Sequence, residues 1–370
     1  MGENHLKRTA LTLALLLLAS CGRAPNVYMV GAAGPWKESY GIMTRHGIEL
    51  AVEEINHAGG IRGAPLRVVA RDDEANGTRA TAIAQEFVRD KSILAVIGHV
   101  NSGAMLAAAP VYDGELTAVA TSASSPDLTG ASPWVFRVIP SDSLNGVGLG
   151  RFASQIGGTD PVMKEASVLY ENDSYGRGLA DAFRKNFRGT IISFDPIDQS
   201  LTNAEPYVSY FKVRRPGIVF VASREQAALA ILREAKRQQL DAVFIGGDGW
   251  QSIVTDTVAS EGAYVGTSFN ADDQSPAVRR FVNAFTKKYN TTPDAFAALG
   301  YDATKLIASA ISKKGANRSG VRDYLASLDQ SHPFEGLAGT LYFSDGGDPR
   351  GMGFRVARVS HGSLQTGVSQ

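Results

Sequence analysis

Two hydrophobic rhythms alternate along this chain. Short unbroken apolar runs, Val27 to Gly31, Leu66 to Ala70, Ile93 to Ile97, Thr117 to Ala120 and Val135 to Val138, have the length and bounding turn residues of strands. Between them apolar residues recur every third or fourth position. Gly47, Ile48, Ala51, Val52 and Ile55 share one face of a helix that stops at Gly59-Gly60, and Thr78 opens another with Ile83, Ala84, Phe87 and Val88 inward.

A helix start at Pro140-Ser141-Asp142 is followed by a second cycle of the same rhythm. Strands are expected at Ala166 to Tyr170, Thr190 to Phe194, Ile218 to Ala222, Val243 to Gly246 and Tyr264 to Phe269, with helices at Tyr175 to Arg188, Pro206 to Val213 and Gln226 to Gln238. Helical patterns then cover Pro276 to Tyr289, Ala295 to Ser312 and Val321 to Leu328. The tail reads as strands at Gly339 to Phe343 and Phe354 to Val359, joined by an Asp-Gly-Gly-Asp turn. Strand and helix in alternation predict right-handed crossovers, hence an α/β fold with two doubly wound, Rossmann-like parallel sheets. At 370 residues the chain is long enough for two such units.

One stretch stands out within this pattern. Ile93 to Ala104 is a buried-type strand that stops at Gly98-His99 and restarts as a small-residue helix at Asn101-Ser102. A helix start at the carboxyl end of a parallel strand leaves backbone N–H groups and a hydroxyl facing one way, which suits an anion. The other reading, that Asn101 or Ser102 merely caps its own helix, is equally consistent with the stretch alone. From Thr121 to Pro133 periodicity gives way to a hydroxyl-rich loop with many hydrogen-bond donors.

Composition removes several classes of function. Lys and Arg number 37 and so do Asp and Glu, so no overall field favours nucleic acid. There is no Gly-x-Gly-x-x-Gly after the first strand, no Gly-x-Ser-x-Gly elbow, no Walker motif and no His-Glu-x-x-His, and the 6 histidines are scattered. No enzyme activity, cofactor or metal is expected, and His99 reads as a capping or packing residue.

Residues 1–21 form a targeting signal: Lys7 and Arg8, an apolar core from Ala10 to Leu18 too short to span a bilayer, then Leu18-Ala19-Ser20-Cys21. That ending resembles a bacterial lipobox, in which the cysteine is lipidated and becomes the mature amino terminus. Cys21 is the only cysteine in the chain. The expectation is a protein in the periplasm or at the cell surface, tied to a membrane through its lipid. A plain signal peptide with a spare thiol is the alternative.

The order of several stretches resembles one family, the type I periplasmic binding proteins, and within it the branched-chain (Leu/Ile/Val-type) amino acid receptors of ABC importers. The matching residues are Gly34-Pro35 with Tyr40-Gly41, Ala51 to Asn56 with Gly59 to Gly63, Asp72-Asp73, Val96 to His99, Ser125 to Thr129, Tyr175 to Leu179 and Gly246 to Gly249. The resemblance implies two lobes joined by a three-strand hinge, with lobe one from 26–138 plus 270–343 and lobe two from 139–269 plus 344–370. It further implies a monomer that closes around a small amino-acid-like ligand and delivers it to ABC permease subunits.

Carried over position by position, the resemblance puts the ligand carboxylate on Ser102 and Ser124, with Ser122 and Val100 offering nearby backbone groups. The ligand ammonium falls to Asp248, where most members carry glutamate. Tyr175 matches the aromatic that closes over the ligand; Tyr40 and Trp36 stand where the first loop overhangs the cleft, and Phe296 matches an aromatic near the pocket. Trp250 is a further aromatic without a family match. The chain departs from the hydrophobic-amino-acid receptors at Ser223-Arg224-Glu225, where they carry an aromatic. A guanidinium beside the side-chain pocket predicts a polar or acidic ligand side chain, unless Arg224 is a solvated residue paired with Glu225. The same fold also serves ligand-sensing receptors and binders of urea or short amides, which is the competing function.

Overall fold

The computed structural model describes residues 26–366. The expected signal segment and Cys21 lie outside the described residues. The first sheet has five parallel strands in the order β2-β1-β3-β4-β5: β1 (Tyr28–Gly34), β2 (Leu66–Asp72), β3 (Ile93–Gly98), β4 (Ala118–Ala120) and β5 (Val135–Arg137). The second repeats that order. Strands β6 (Glu165–Glu171), β7 (Thr190–Ile197), β8 (Ile218–Ala222), β9 (Val243–Gly246) and β10 (Tyr264–Thr267) run β7-β6-β8-β9-β10, again parallel. Every residue of β3 and of β8 is buried, as strands covered by helices on both faces require.

The chain passes between the sheets three times: after β5, after β10, and at Gly353-Phe354. After the second passage, helices Pro276–Tyr289, Ala295–Lys314 and Arg318–Ala326 return to the first sheet. Leu299, Leu306 and Ile307 share a core there with Tyr28, Val30 and Ile97.

The third passage departs from expectation. The Asp345 to Asp348 turn joins β12 (Gly339–Phe343) to an additional strand, β13 (Pro349–Met352), in a small antiparallel sheet with β11 (Phe334–Glu335). The following strand, β14 (Arg355–Ser360), instead pairs antiparallel with β10 at the edge of the second sheet. Residues 349–352 therefore pair within this small sheet, whose Tyr342, Phe343 and Met352 pack on the first core. The reason is visible in Arg137, whose guanidinium holds the turn by donating to Asp348 Oδ1 at 2.8 Å from Nε and at 2.5 Å from Nη2.

In a sheet of order 2-1-3-4-5, chain direction reverses between the first and third strands in sequence, and loops at their carboxyl ends splay apart to leave a crevice. Both sheets have such a switch point, at β1/β3 and at β6/β8. The loops that leave these strands supply Tyr40, Val100 to Ser102, Tyr175 and Arg224.

Candidate functional site

Between the two switch points lies a small cavity lined by Tyr40, Val100, Asn101, Ser102, Ser122, Tyr175, Arg224, Asp248, Gly249 and Phe296. Eight of the ten expected site residues line it, and Ser124 and Trp36 do not.

The first wall starts from Gly98. Its φ is +114°, and a Cβ there would lie 2.1 Å from the Ala33 carbonyl oxygen, so no side chain fits. The turn drops Val100 to Ser102 onto the start of helix Ser102–Tyr112. Asn101 occupies the N-cap position, but its side chain makes no cap; its Nδ2 donates to Tyr40 Oη at 3.0 Å across the cavity mouth. Ser102 is buried, and its Oγ accepts from the Ser125 backbone N–H at 3.1 Å, which leaves its own proton free. Ser122 Oγ is buried and without a hydrogen-bond partner among the described residues. Two hydroxyl donors and the unsatisfied N–H groups of a helix start thus converge on one end of the cavity.

Ser124 faces away. It is fully buried and donates to Asp142 Oδ2 at 3.0 Å, a partner more than a turn further along the chain that its loop context does not reveal. Trp36 packs against the first core, its ring edge filling the space left by the missing side chain of Gly34. Trp250 is a core residue whose Nε1 donates to Ser223 Oγ at 3.2 Å.

The opposite wall is built on Tyr175 and Asp248. Helix Ser174–Asn186 is capped by Asp173, which accepts from Gly176 N–H at 2.8 Å and sets Tyr175 at the cavity edge. Tyr175 Oη donates to Asp248 Oδ1 at 3.0 Å and accepts from Gly249 N–H at 2.9 Å. Asp248 is 7% exposed, and burial pushes its carboxyl up to about 6 against the opposing pull of the Tyr175 and backbone donors. Tyr40 and Phe296, ring centroids 5.6 Å apart, form the apolar side.

Arg224 is neither solvated nor paired with Glu225. Its Nη1 donates to Glu171, its backbone N–H to Glu171 Oε1 at 2.8 Å, and its Nη2 to Asp173 Oδ2 at 2.8 Å, while the guanidinium lies 5.2 Å from the Tyr175 ring centroid. Two carboxylates already neutralise it, which removes the electrostatic reason to expect an acidic ligand side chain. Glu225 instead accepts from Ser39 Oγ, a contact between the two sheets' helices at the cavity rim. Asn101, Gly249, Glu171 and Asp173 were not among the expected site residues, although Asn101 lies in the helix-start stretch and Gly249 in the matching Gly246 to Gly249 segment.

The arrangement offers complementary polar ends about a small apolar waist. His99 takes no part: it is fully buried, with Nδ1 2.7 Å from Asp73 Oδ2 and Nε2 3.0 Å from Tyr112 Oη. Among the described residues, no group of three or more His, Cys, Asp or Glu side chains could hold a metal ion, and no helix is long and apolar enough to cross a membrane.

A family described as periplasmic binding protein matches residues 28–363. A leucine-, isoleucine-, valine-, threonine- and alanine-binding protein of Pseudomonas aeruginosa is 28% identical over 99% of this chain and 99% of its own length. An ABC transporter substrate-binding protein of Desulfitobacterium hafniense, solved in complex with Leu, is 31% identical, with a TM-score of 0.79 over 92% of this chain and 99% of that one. A solute-binding protein of R. palustris, solved with benzoate, shares the fold at 20% identity, with a TM-score of 0.83 over 92% of this chain and 95% of that one.

Proposed function

Because the chain belongs to the periplasmic binding protein family, and a related chain compared above is an ABC transporter substrate-binding protein solved with Leu, we propose that it captures a small α-amino acid with an uncharged side chain for an ABC importer. One observation carries this reading: donors without partners at Ser102, Ser122 and the helix start face a buried acid, Asp248, across one small cavity. The first end suits a carboxylate, the second an ammonium group. Tyr40, Phe296 and the neutralised Arg224 leave a confined space for the side chain, compatible with alanine, threonine or valine.

Capture then works through the three passages between sheets. A ligand touching both walls is bound more tightly when they are close, so its differential contacts shift an open and closed equilibrium toward closure. The Ser39 and Glu225 contact links helices of the two sheets and would favour closure. Cys21, on this reading, carries a lipid that keeps the monomer near its permease. A thermal-shift panel tests the solute class. L-Alanine, L-threonine and L-valine are expected to raise the melting temperature, and L-glutamate, urea and benzoate to leave it unchanged. Stabilisation by benzoate or urea alone would overturn the amino acid reading in favour of a carboxylate or amide binder.

A further inference from the structure

Asp142 is a charge without a role in the site as described. It opens helix Asp142–Ile156, directly after the first passage between sheets, and it is completely buried. A carboxylate taken out of water stays ionised only when a cation or several short donors face it. Glu171, equally buried, has Arg224. Asp142 has no such partner: Oδ2 accepts from Ser124 Oγ at 3.0 Å, and Oδ1 meets only the Asn145 amide at 3.5 Å.

The charged surroundings favour a neutral acid. Arg137, from β5, acts on Asp142 from a distance, but its guanidinium donates to Asp348 Oδ1, to the Ser125 carbonyl at 2.8 Å and to Thr129 Oγ1 at 2.7 Å. From the turn after β9, Asp248 adds a like charge, and from helix Ser174–Asn186 the Tyr175 hydroxyl faces both acids. Arg224 acts on Asp248 but is itself neutralised by Glu171 and Asp173.

We propose that Asp142 carries a proton in the ligand-free protein, so that Asp248 alone meets the ligand's ammonium group and the site is matched to one positive charge rather than two. Asp142 is thereby a positioning residue: its neutral carboxyl anchors the Ser124 loop without adding charge beside Asp248. The donors decide which acid keeps the proton: Asp248 receives the Tyr175 hydroxyl at 3.0 Å and backbone N–H groups and feels Arg224, whereas Asp142 has one serine hydroxyl and a 3.5 Å amide contact, so burial and the nearby Asp248 push Asp142 well above the usual carboxylate range. The part of the proposal that concerns the ammonium rests on the amino acid reading above; the protonation state does not.

The test therefore has two independent arms. In infrared spectra of the ligand-free protein at neutral pH, wild type minus Asp142→Asn is expected to show a neutral carboxylic acid band that shifts in deuterated water. Its absence would overturn the proposal. In calorimetry with L-threonine, Asp142→Asn is expected to bind within about threefold of wild type, because the amide imitates the neutral acid, while Asp248→Asn loses at least tenfold. A tenfold loss in Asp142→Asn would mean that its charge is used, and would overturn the single-charge match. Should Asp142→Asn fail to fold, carbon NMR of aspartate-labelled wild type, with each carboxyl assigned to its residue, decides the first arm: the Asp142 carboxyl stays protonated above neutral pH, and an ionised Asp142 at neutral pH would sink the idea. Failure of L-threonine to bind wild type would count against the amino acid reading while leaving the infrared result to judge Asp142.

Discussion

Replacing Asp248 by Asn should make the ligand-free protein more stable and the binding protein nearly useless. Burial lifts this carboxyl from 3.8 to about 6, so the fold disfavours its ionised form. The sign follows from proton binding: between these two values the native state holds more protons than the unfolded chain, and stability falls as pH rises. Below the lower value the penalty is absent, and above the upper one it is complete, at about 3 kcal/mol. Asparagine keeps the size and the acceptor for Tyr175 Oη but carries no charge. At neutral pH the variant should therefore gain up to about 3 kcal/mol, with each kcal/mol raising the melting temperature by roughly 2–4 °C. Near pH ~4, where the wild-type acid is protonated, the gain should vanish. Binding moves the other way. Truncating one partner of a buried charge pair costs about 2–5 kcal/mol, a loss of roughly 30-fold to several-thousandfold in affinity. Melting curves across pH and calorimetry with L-threonine check both halves. A variant less stable than wild type at neutral pH, with affinity intact, would refute the reasoning about this acid.

Ser122→Ala should weaken L-threonine binding by about 1.5–3 kcal/mol, the worth of a hydrogen bond to a charged group, with almost no change in melting temperature, because the hydroxyl has no partner among the described residues to lose. Arg224→Met should lower stability by about 3–5 kcal/mol in denaturant titration, since it leaves Glu171 buried and unpaired, and Arg224→Met with Glu171→Gln should recover much of that loss. Cys21→Ser should release the protein from the membrane fraction of cells that express the full chain, a shift read by fractionation and immunoblot.

The features legible in the sequence were those in which one local pattern has one cause. Ile93 to Gly98 is apolar throughout because helices cover both faces of β3, and Gly98 marked the strand's end because its φ of +114° admits no side chain. Tyr175 and Asp248 were singled out by the family resemblance rather than by periodicity, and both line the cavity. What stayed hidden depends on partners distant in the chain. Arg224 looked available beside Glu225, yet its carboxylates are Glu171 and Asp173, on the neighbouring strand's loop. Ser124 and Trp36 sit in the right segments but point into the protein, and a side chain's direction within a loop has no period to betray it. The strand expected at Phe354 to Val359 is β14, but the turn at Asp345 to Asp348 leads first into the additional four-residue strand Pro349–Met352, too short and too polar to show a period of its own. Asp142 resembled an ordinary helix-start acid, for which exposure at a helix N-terminus is the usual fate.

Calorimetry at neutral pH with L-threonine, its carboxamide and its N-acetyl derivative tests the central claim most directly, since each derivative removes one charged end of the amino acid while leaving the side chain untouched. L-Threonine is predicted to bind with one site per chain. The carboxamide, deprived of the group that meets Ser102 and Ser122, and the N-acetyl compound, deprived of the group that meets Asp248, should each bind at least a hundredfold more weakly, about 2.7 kcal/mol. Equal binding of all three, or tight binding of benzoate in their place, would contradict the account.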